Sequence, residues 1–187
     1  MLLRPCEVFG SGSLPHQARA APVSQLPVSP RPGVRLAVDV GSVRVGVARS
    51  DPGGVLATPL TVLPSGPRAT AELARLAAAE GAIEVVVGLP TSLSGREGAA
   101  AAGAREFAAD LAARLAPIHV RLFDERFTTT EAHDALRRGG KDTRARRQVV
   151  DAAAAAVLLQ AALDAERSTG RPAGQLVPGP APGGAGP

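Results

Sequence analysis

The chain contains no tryptophan, no tyrosine and only four phenylalanines in 187 residues. A platform that stacks single-stranded bases needs aromatic rings, so binding of that kind is excluded as its main business. Core packing must instead rest on Val, Leu, Ile and Ala. The single cysteine, Cys6, cannot form an internal disulfide, and no Cys/His group has zinc-ligand spacing. The three histidines, His16, His119 and His133, are scattered and read as surface or turn residues. No run of about 18 apolar residues is present, so no membrane span is expected and a cytoplasmic location is the default. There is also no Walker A phosphate loop. Lysine is almost absent: Lys141 is the only one among 21 basic residues. With so much Ala, Gly and Pro, this reads as GC-rich coding bias rather than selection for guanidinium groups.

What remains is enough for one domain with a real core, since 45% of residues are hydrophobic. The net charge of +4 sits largely outside that core. Residues 1–33 carry +2 and residues 169–187 carry +1, leaving +1 on the body. Both flanks are rich in Pro, Gly and Ser without sustained periodicity. The expected organisation is a disordered extension over 1–33, one domain over 34–168 and a disordered tail over 169–187.

The body is organised around Arg35 to Ser50, RLAVDVGSVRVGVARS. An apolar run ends at Asp39; Gly41 follows, then a second β-rich run with Arg44 and Gly46 inside it. This predicts a hairpin whose first strand is buried on both faces. Asp-x-Gly also closes ordinary hairpins. An acid in a buried run is expensive, however, unless it is paired or holds a cation. Asp51-Pro52-Gly53-Gly54 is a strong turn signal. Val55 to Leu63 predicts a third strand, which Pro59 places at an edge. Helices are predicted over 68–80, closed by Gly81, and over 97–115, with Phe107, Leu111 and Leu115 on one face. Ile83 to Val87 and Ile118 to Phe123 are further strands. Thr128 to Glu131 fits a capping box opening a short helix to Arg138. A last helix runs from about 148 to 167. The fold class is α/β, with a five-stranded mixed sheet flanked by helices on both faces.

Three carboxylates fall where one site can form. Asp39 lies on the first strand, Glu125 just past the carboxyl end of the fifth, and Asp151 in the first turn of the last helix. In open α/β sheets ligands gather outside the carboxyl ends of strands. Such a group repels itself unless hard cations neutralise it, and carboxylates suit Mg2+ or Mn2+. Two such ions activate water and steady the leaving oxygen in phosphodiester hydrolysis. Asp124 reads as a capping or orienting residue rather than a ligand. From Arg137 to Arg147, RRGGKDTRARR, there are six positive charges and one negative. This run, with Arg137, Arg138, Lys141, Arg144, Arg146 and Arg147, flanks the acids in sequence and suits a phosphate backbone. Arg44 is placed to orient a carboxylate or meet a phosphate, and Arg126 adds to the basic set.

The ordered set Asp39-Val-Gly41-Ser-Val-Arg44-Val-Gly46-Val-Ala48, Val87-Gly88-Leu89-Pro90, Gly95-Arg-Glu97-Gly98, Asp124-Glu125-Arg126-Phe127-Thr128-Thr129 and Asp151-Ala152-Ala153 resembles the YqgF family. These are Holliday-junction-resolvase-like proteins also described as pre-16S rRNA nucleases, and the match spans residues 34–167. The resemblance implies an RNase H-like fold and divalent-metal-dependent cleavage of nucleic acid. It further implies a role in maturing the 5′ end of 16S rRNA in a bacterial cytoplasm, with Asp39, Glu125 and Asp151 as the acids. The chain departs from the family pattern at Ser94, where a loop acid is usual. Pre-16S rRNA is the expected partner and branched DNA the alternative. Two other readings compete. One is a relative of actin-like ATPases, for which a single domain of this size is too short. The other is a non-catalytic nucleic-acid-binding module on the same scaffold.

Overall fold

A computed structural model describes residues 31–91, 98–127 and 144–179. The hairpin forms as expected from β1 (Val34–Val40) and β2 (Arg44–Ser50), followed by β3 (Ala57–Pro64), α1 (Ala69–Ala79) and β4 (Ala82–Leu89). Then come α2 (Ala99–Leu115), β5 (His119–Asp124), a 3-10 turn over Glu125–Phe127, α3 (Arg144–Thr169) and β6 (Gln175–Leu176). The helix expected from Thr128 to Arg138 lies outside the described residues, as do Gly95 to Glu97 and the acid-deficient Ser94.

The sheet order is β3-β2-β1-β4-β5-β6. The first three strands pair antiparallel, as short turns require, while β4 joins β1, and β5 joins β4, in parallel through helical crossovers. This mixed arrangement is the RNase H-like fold that the resemblance implies. Pro59 does sit on an edge strand. Gly81, with φ of +61°, follows α1 and ends it in the left-handed conformation that glycine adopts without strain.

The expected five strands become six. Gln175–Leu176 pairs antiparallel with β5, beyond residue 168 where the sequence reading ends the domain. Gly174, with φ of +82°, makes this possible, because a Cβ there would stand 2.4 Å from the Leu122 carbonyl oxygen. A strand of two residues carries no periodicity of its own, and β5 supplies the pairing that fixes it.

Side-chain alternation sorts the sheet into two faces. Leu36, Val38, Val45, Val47, Val85 and Val87 face α1 and α2 and form the larger core with Leu73, Leu111 and Leu115. The opposite face is built from small residues. Ala37 and Ala48 lie with Val86 and Phe123 under Ala155, Leu158, Leu159, Ala162 and Leu163 of α3. Alanine on both partners lets this helix lie close to the strands. Gln160 of α3 fastens β3 as well, accepting from the Ala57 amide at 3.0 Å and donating to the Val55 carbonyl at 3.1 Å.

The far end of α3 is bolted by charge. Glu166 is 5% exposed and accepts from Arg31 Nε at 2.9 Å and from Arg35 Nη2 at 3.0 Å. Arg31 Nη2 also donates to Glu84 at 2.8 Å, whose other oxygen accepts from Arg121 at 2.8 Å. Arg31 thereby ties part of the stretch read as an extension into the folded body. Burial pushes the Glu166 carboxyl up, but hydrogen bonds from Arg31 and the charges of Arg35 and Arg31 outweigh it, and the group titrates below its ordinary value. A depressed folded pKa contributes stability above the unfolded value that is lost as pH falls through the folded one. Glu166→Gln is therefore expected to cost about 2 kcal/mol at neutral pH, because the buried Arg35 loses its counter-charge. Its deficit relative to wild type should shrink on acidification below the ordinary glutamate range. Denaturant unfolding at pH 7 and pH 3 checks both.

Candidate active site

Asp39 is the first acid to place. It sits near the carboxyl end of β1, 9% exposed, on the face that α3 covers. Its cross-strand partner on β2 is Gly46. On β4, Val38 pairs with Val87, so the next residue, Gly88, comes beside Asp39. The aspartate thus stands between two residues that have no side chains.

Both vacated places are filled by the other two acidic segments. A Cβ on Gly46 would lie 2.0 Å from the Asp151 carbonyl oxygen, so α3 rests directly on β2 at this point. The helix opens at Arg144, earlier than the expected start near 148, so Asp151 lies seven residues in and not in the first turn. A Cβ on Gly88 would lie 2.8 Å from Glu125 Oε1 and 3.2 Å from Leu158 Cδ2. The glutamate carboxylate therefore lies back across the sheet over Gly88. Its backbone is aimed by Asp124, which accepts from the Arg126 amide at 2.9 Å and the Arg126 side chain at 2.5 Å, and also from the Thr91 hydroxyl. Hydrogen bonds from the Arg126 guanidinium, with the Thr91 contact, hold the Asp124 carboxyl down at about 2. Asp124 is the orienting residue that the sequence suggests. Arg126, read from sequence as a nucleic-acid contact, has its guanidinium on Asp124 and remains part-exposed at 45%.

Asp39, Glu125 and Asp151 line one cleft of about 450 Å³, together with Arg44 and the hairpin tip, and Pro90, Ala100 and Ala154 close its sides. Gly41 serves the hairpin itself. Its amide donates to the Arg44 carbonyl at 2.9 Å, and a Cβ there would stand 2.7 Å from that oxygen. Arg44 emerges on the Gly46 face of β2, and its Nε donates to Asp151 Oδ2 at 2.5 Å.

The donor set is one of hard carboxylate oxygens, which suits a hard divalent cation. The empty space at Gly88 seats Glu125 beside Asp39, and the third carboxylate reaches the same cleft while paired to Arg44. Among the described residues no three His, Cys, Asp or Glu side chains stand grouped tightly enough to hold one ion. The arrangement is three acids along one cleft, with Asp151 paired to Arg44.

The basic run is divided. Arg144, Arg146 and Arg147 belong to the opening turns of α3, four to seven residues before Asp151. Arg137, Arg138 and Lys141 lie outside the described residues. The sequence reading missed Thr91, and it missed the part played by Gly46 and Gly88, although both glycines stand in its motifs. Because Glu125 is the far end of a flexible side chain, Gly88→Ala is expected to fold with a small stability loss. Any reaction carried out in this cleft should nonetheless slow roughly 10- to 100-fold, since a displacement of about 1 Å at a reacting group has that effect. Unfolding and turnover measured on the same preparation separate the two.

Residues 33–165 match the family model described as "RuvX: Holliday junction resolvase". The chain belongs to this family. Within it, a Nocardioides protein named "Putative pre-16S rRNA nuclease" is 56% identical over 152 residues, covering 79% of this chain and 97% of its own length. A protein of the same name from Thermobifida fusca is 55% identical over 156 residues, 80% of this chain and 98% of that one. Among solved structures, T. thermophilus RuvC in complex with Holliday junction substrate aligns with a TM-score of 0.49 at 16% identity, over 78% of this chain and 99% of that one. The glycines flanking Asp39 and the acid-bearing turn all fall inside the matched RuvX region. No helix among the described residues is long and apolar enough to cross a membrane.

Proposed function

We propose that this RuvX-family protein is a divalent-cation-dependent nuclease that processes the 5′ end of pre-16S rRNA. The family and its named relatives make it a hydrolase of phosphodiester bonds. The observation that carries the finer reading is Asp39 set between two glycines, with Glu125 and Asp151 brought over them into one cleft. Asp39 and Glu125 would hold Mg2+ or Mn2+, and Asp151 would complete the site. The chemistry such an ion supplies is activation of water and neutralisation of charge on the scissile phosphate. The remaining steps fall to the chain. Asp124 and Thr91 keep Glu125 in place, and the arginines leading into α3 draw a polyanion to the cleft. Hydrolysis would leave 5′-phosphate and 3′-hydroxyl ends.

The family description itself favours a second reading, resolution of branched DNA. That reaction needs two active sites related by a two-fold axis. The test is cleavage of a pre-16S 5′-leader RNA and of a labelled four-way DNA junction by the purified full chain, with Mg2+, with Mn2+ and with chelator. RNA cleavage that chelator abolishes is the expected result. Cleavage of the junction alone would move the substrate to DNA. Binding of either without cleavage under all conditions would favour a non-catalytic module.

A further inference from the structure

Arg44 presents a cation to one of the three acids that line the cleft. Its Nε donates to Asp151 Oδ2 at 2.5 Å, with the two side chains 26% and 30% exposed at the cleft wall. The contact is imposed by the fold. Gly46 allows α3 to rest on β2, and Arg44, two residues earlier on the same face, emerges beside the Asp151 carboxylate. That leaves Asp151 engaged while Asp39 and Glu125 line the same cleft. The pair occupies one carboxylate oxygen, Oδ2, and offsets the charge of Asp151, so a second cation that takes that oxygen must displace the guanidinium.

We infer that Arg44 is a positioning residue that holds Asp151 in the place of a cation and exchanges it for the divalent ion, becoming free to meet a substrate phosphate. The inference rests on the metal-site reading above. It adds that ion loading and phosphate binding are coupled through one guanidinium. With an ion on Asp151, the Arg44 guanidinium would lose the carboxylate that its Nε faces, at the wall of a cleft suited to a polyanion. Arg44 therefore opposes ion binding while the cleft is empty of substrate and supports substrate binding once the ion is in place.

The test is Mn2+ titration of the full chain by calorimetry, in wild type, Arg44→Ala, Asp151→Asn and the double variant. Arg44→Ala is expected to tighten Mn2+ about fivefold, the scale of a half-exposed ion pair. The gain should vanish when Asp151 is already asparagine. An equal gain in that background would mean general charge repulsion and would overturn the inference, as would unchanged or weaker binding in Arg44→Ala. A second measurement is the salt dependence of binding to a short RNA oligonucleotide, in chelator and in Ca2+. Wild type and Arg44→Ala should share one slope in chelator, and wild type should be steeper by about one phosphate contact in Ca2+. Equal slopes in both conditions would refute the exchange, and this arm decides alone if Asp151→Asn leaves nothing to titrate. If no variant binds Mn2+ at all, the metal site itself fails and the exchange fails with it. If every variant binds without coupling, the exchange fails and the metal site stands.

Discussion

Asp39→Asn is expected to lower RNA cleavage by about 10³-fold or more, while the protein still folds and still binds RNA. The substitution keeps the size of the side chain and removes its charge. Asp39 is nearly buried on the central β1, and its two neighbours on the same face are glycines. No other acidic side chain on those strands can take over its place. Glu125→Gln should give a loss of the same order. Combining the two should add little, because residues that act as one unit are strongly non-additive. Single-turnover cleavage compared with gel-shift affinity separates lost chemistry from lost binding. Retained cleavage in both single variants would remove these acids from the mechanism.

Gly46→Ala is expected to destabilise the fold by about 3 kcal/mol or more, the upper end for overpacking. The added methyl would stand 2.0 Å from the Asp151 carbonyl oxygen, 2.6 Å from its carbon and 3.3 Å from the Ala152 nitrogen. These are backbone atoms of a 26-residue helix, so no rotamer change relieves them. The helix must lift from β2 at this end, while Glu166 holds the other to Arg31 and Arg35. Lifting it also carries Asp151 away from the cleft, so activity should fall with stability. The contrast with Gly88→Ala is diagnostic, because there the obstructed group is a side-chain carboxylate that can swing aside. Denaturant unfolding of both variants should show a large loss for the first and a small one for the second.

The three acids were legible because each interrupts a pattern. Asp39 closes an apolar run, Glu125 follows another, and Asp151 interrupts an apolar helix, although that helix starts seven residues earlier, at Arg144. Pro59 and Gly81 likewise announced an edge and a helix end by local chemistry that needs no partner. The roles of Gly46 and Gly88 were not legible, because they depend on strand register and on a helix and a turn arriving from more than 30 residues away. The Arg31–Glu166 bond joins residues 135 apart and leaves no local signature. Arg126 carries the opposite lesson. Its partner Asp124 is only two residues away, and the pair could have been anticipated from a carboxylate able to accept both the amide and the side chain of that residue. The last strand was hidden for want of length, since two residues show no alternation and only β5 gives them a conformation.

The central claim is that the two glycines beside Asp39 bring Glu125 and Asp151 to one cleft, in which Asp39 and Glu125 bind a divalent cation. The most direct measurement is an anomalous difference map from crystals of the full chain grown with Mn2+. The account predicts a peak in the cleft between the Asp39 and Glu125 carboxylates, lost in Asp39→Asn crystals. A map without a peak there at saturating Mn2+, or with Mn2+ bound only elsewhere on the molecule, would contradict it.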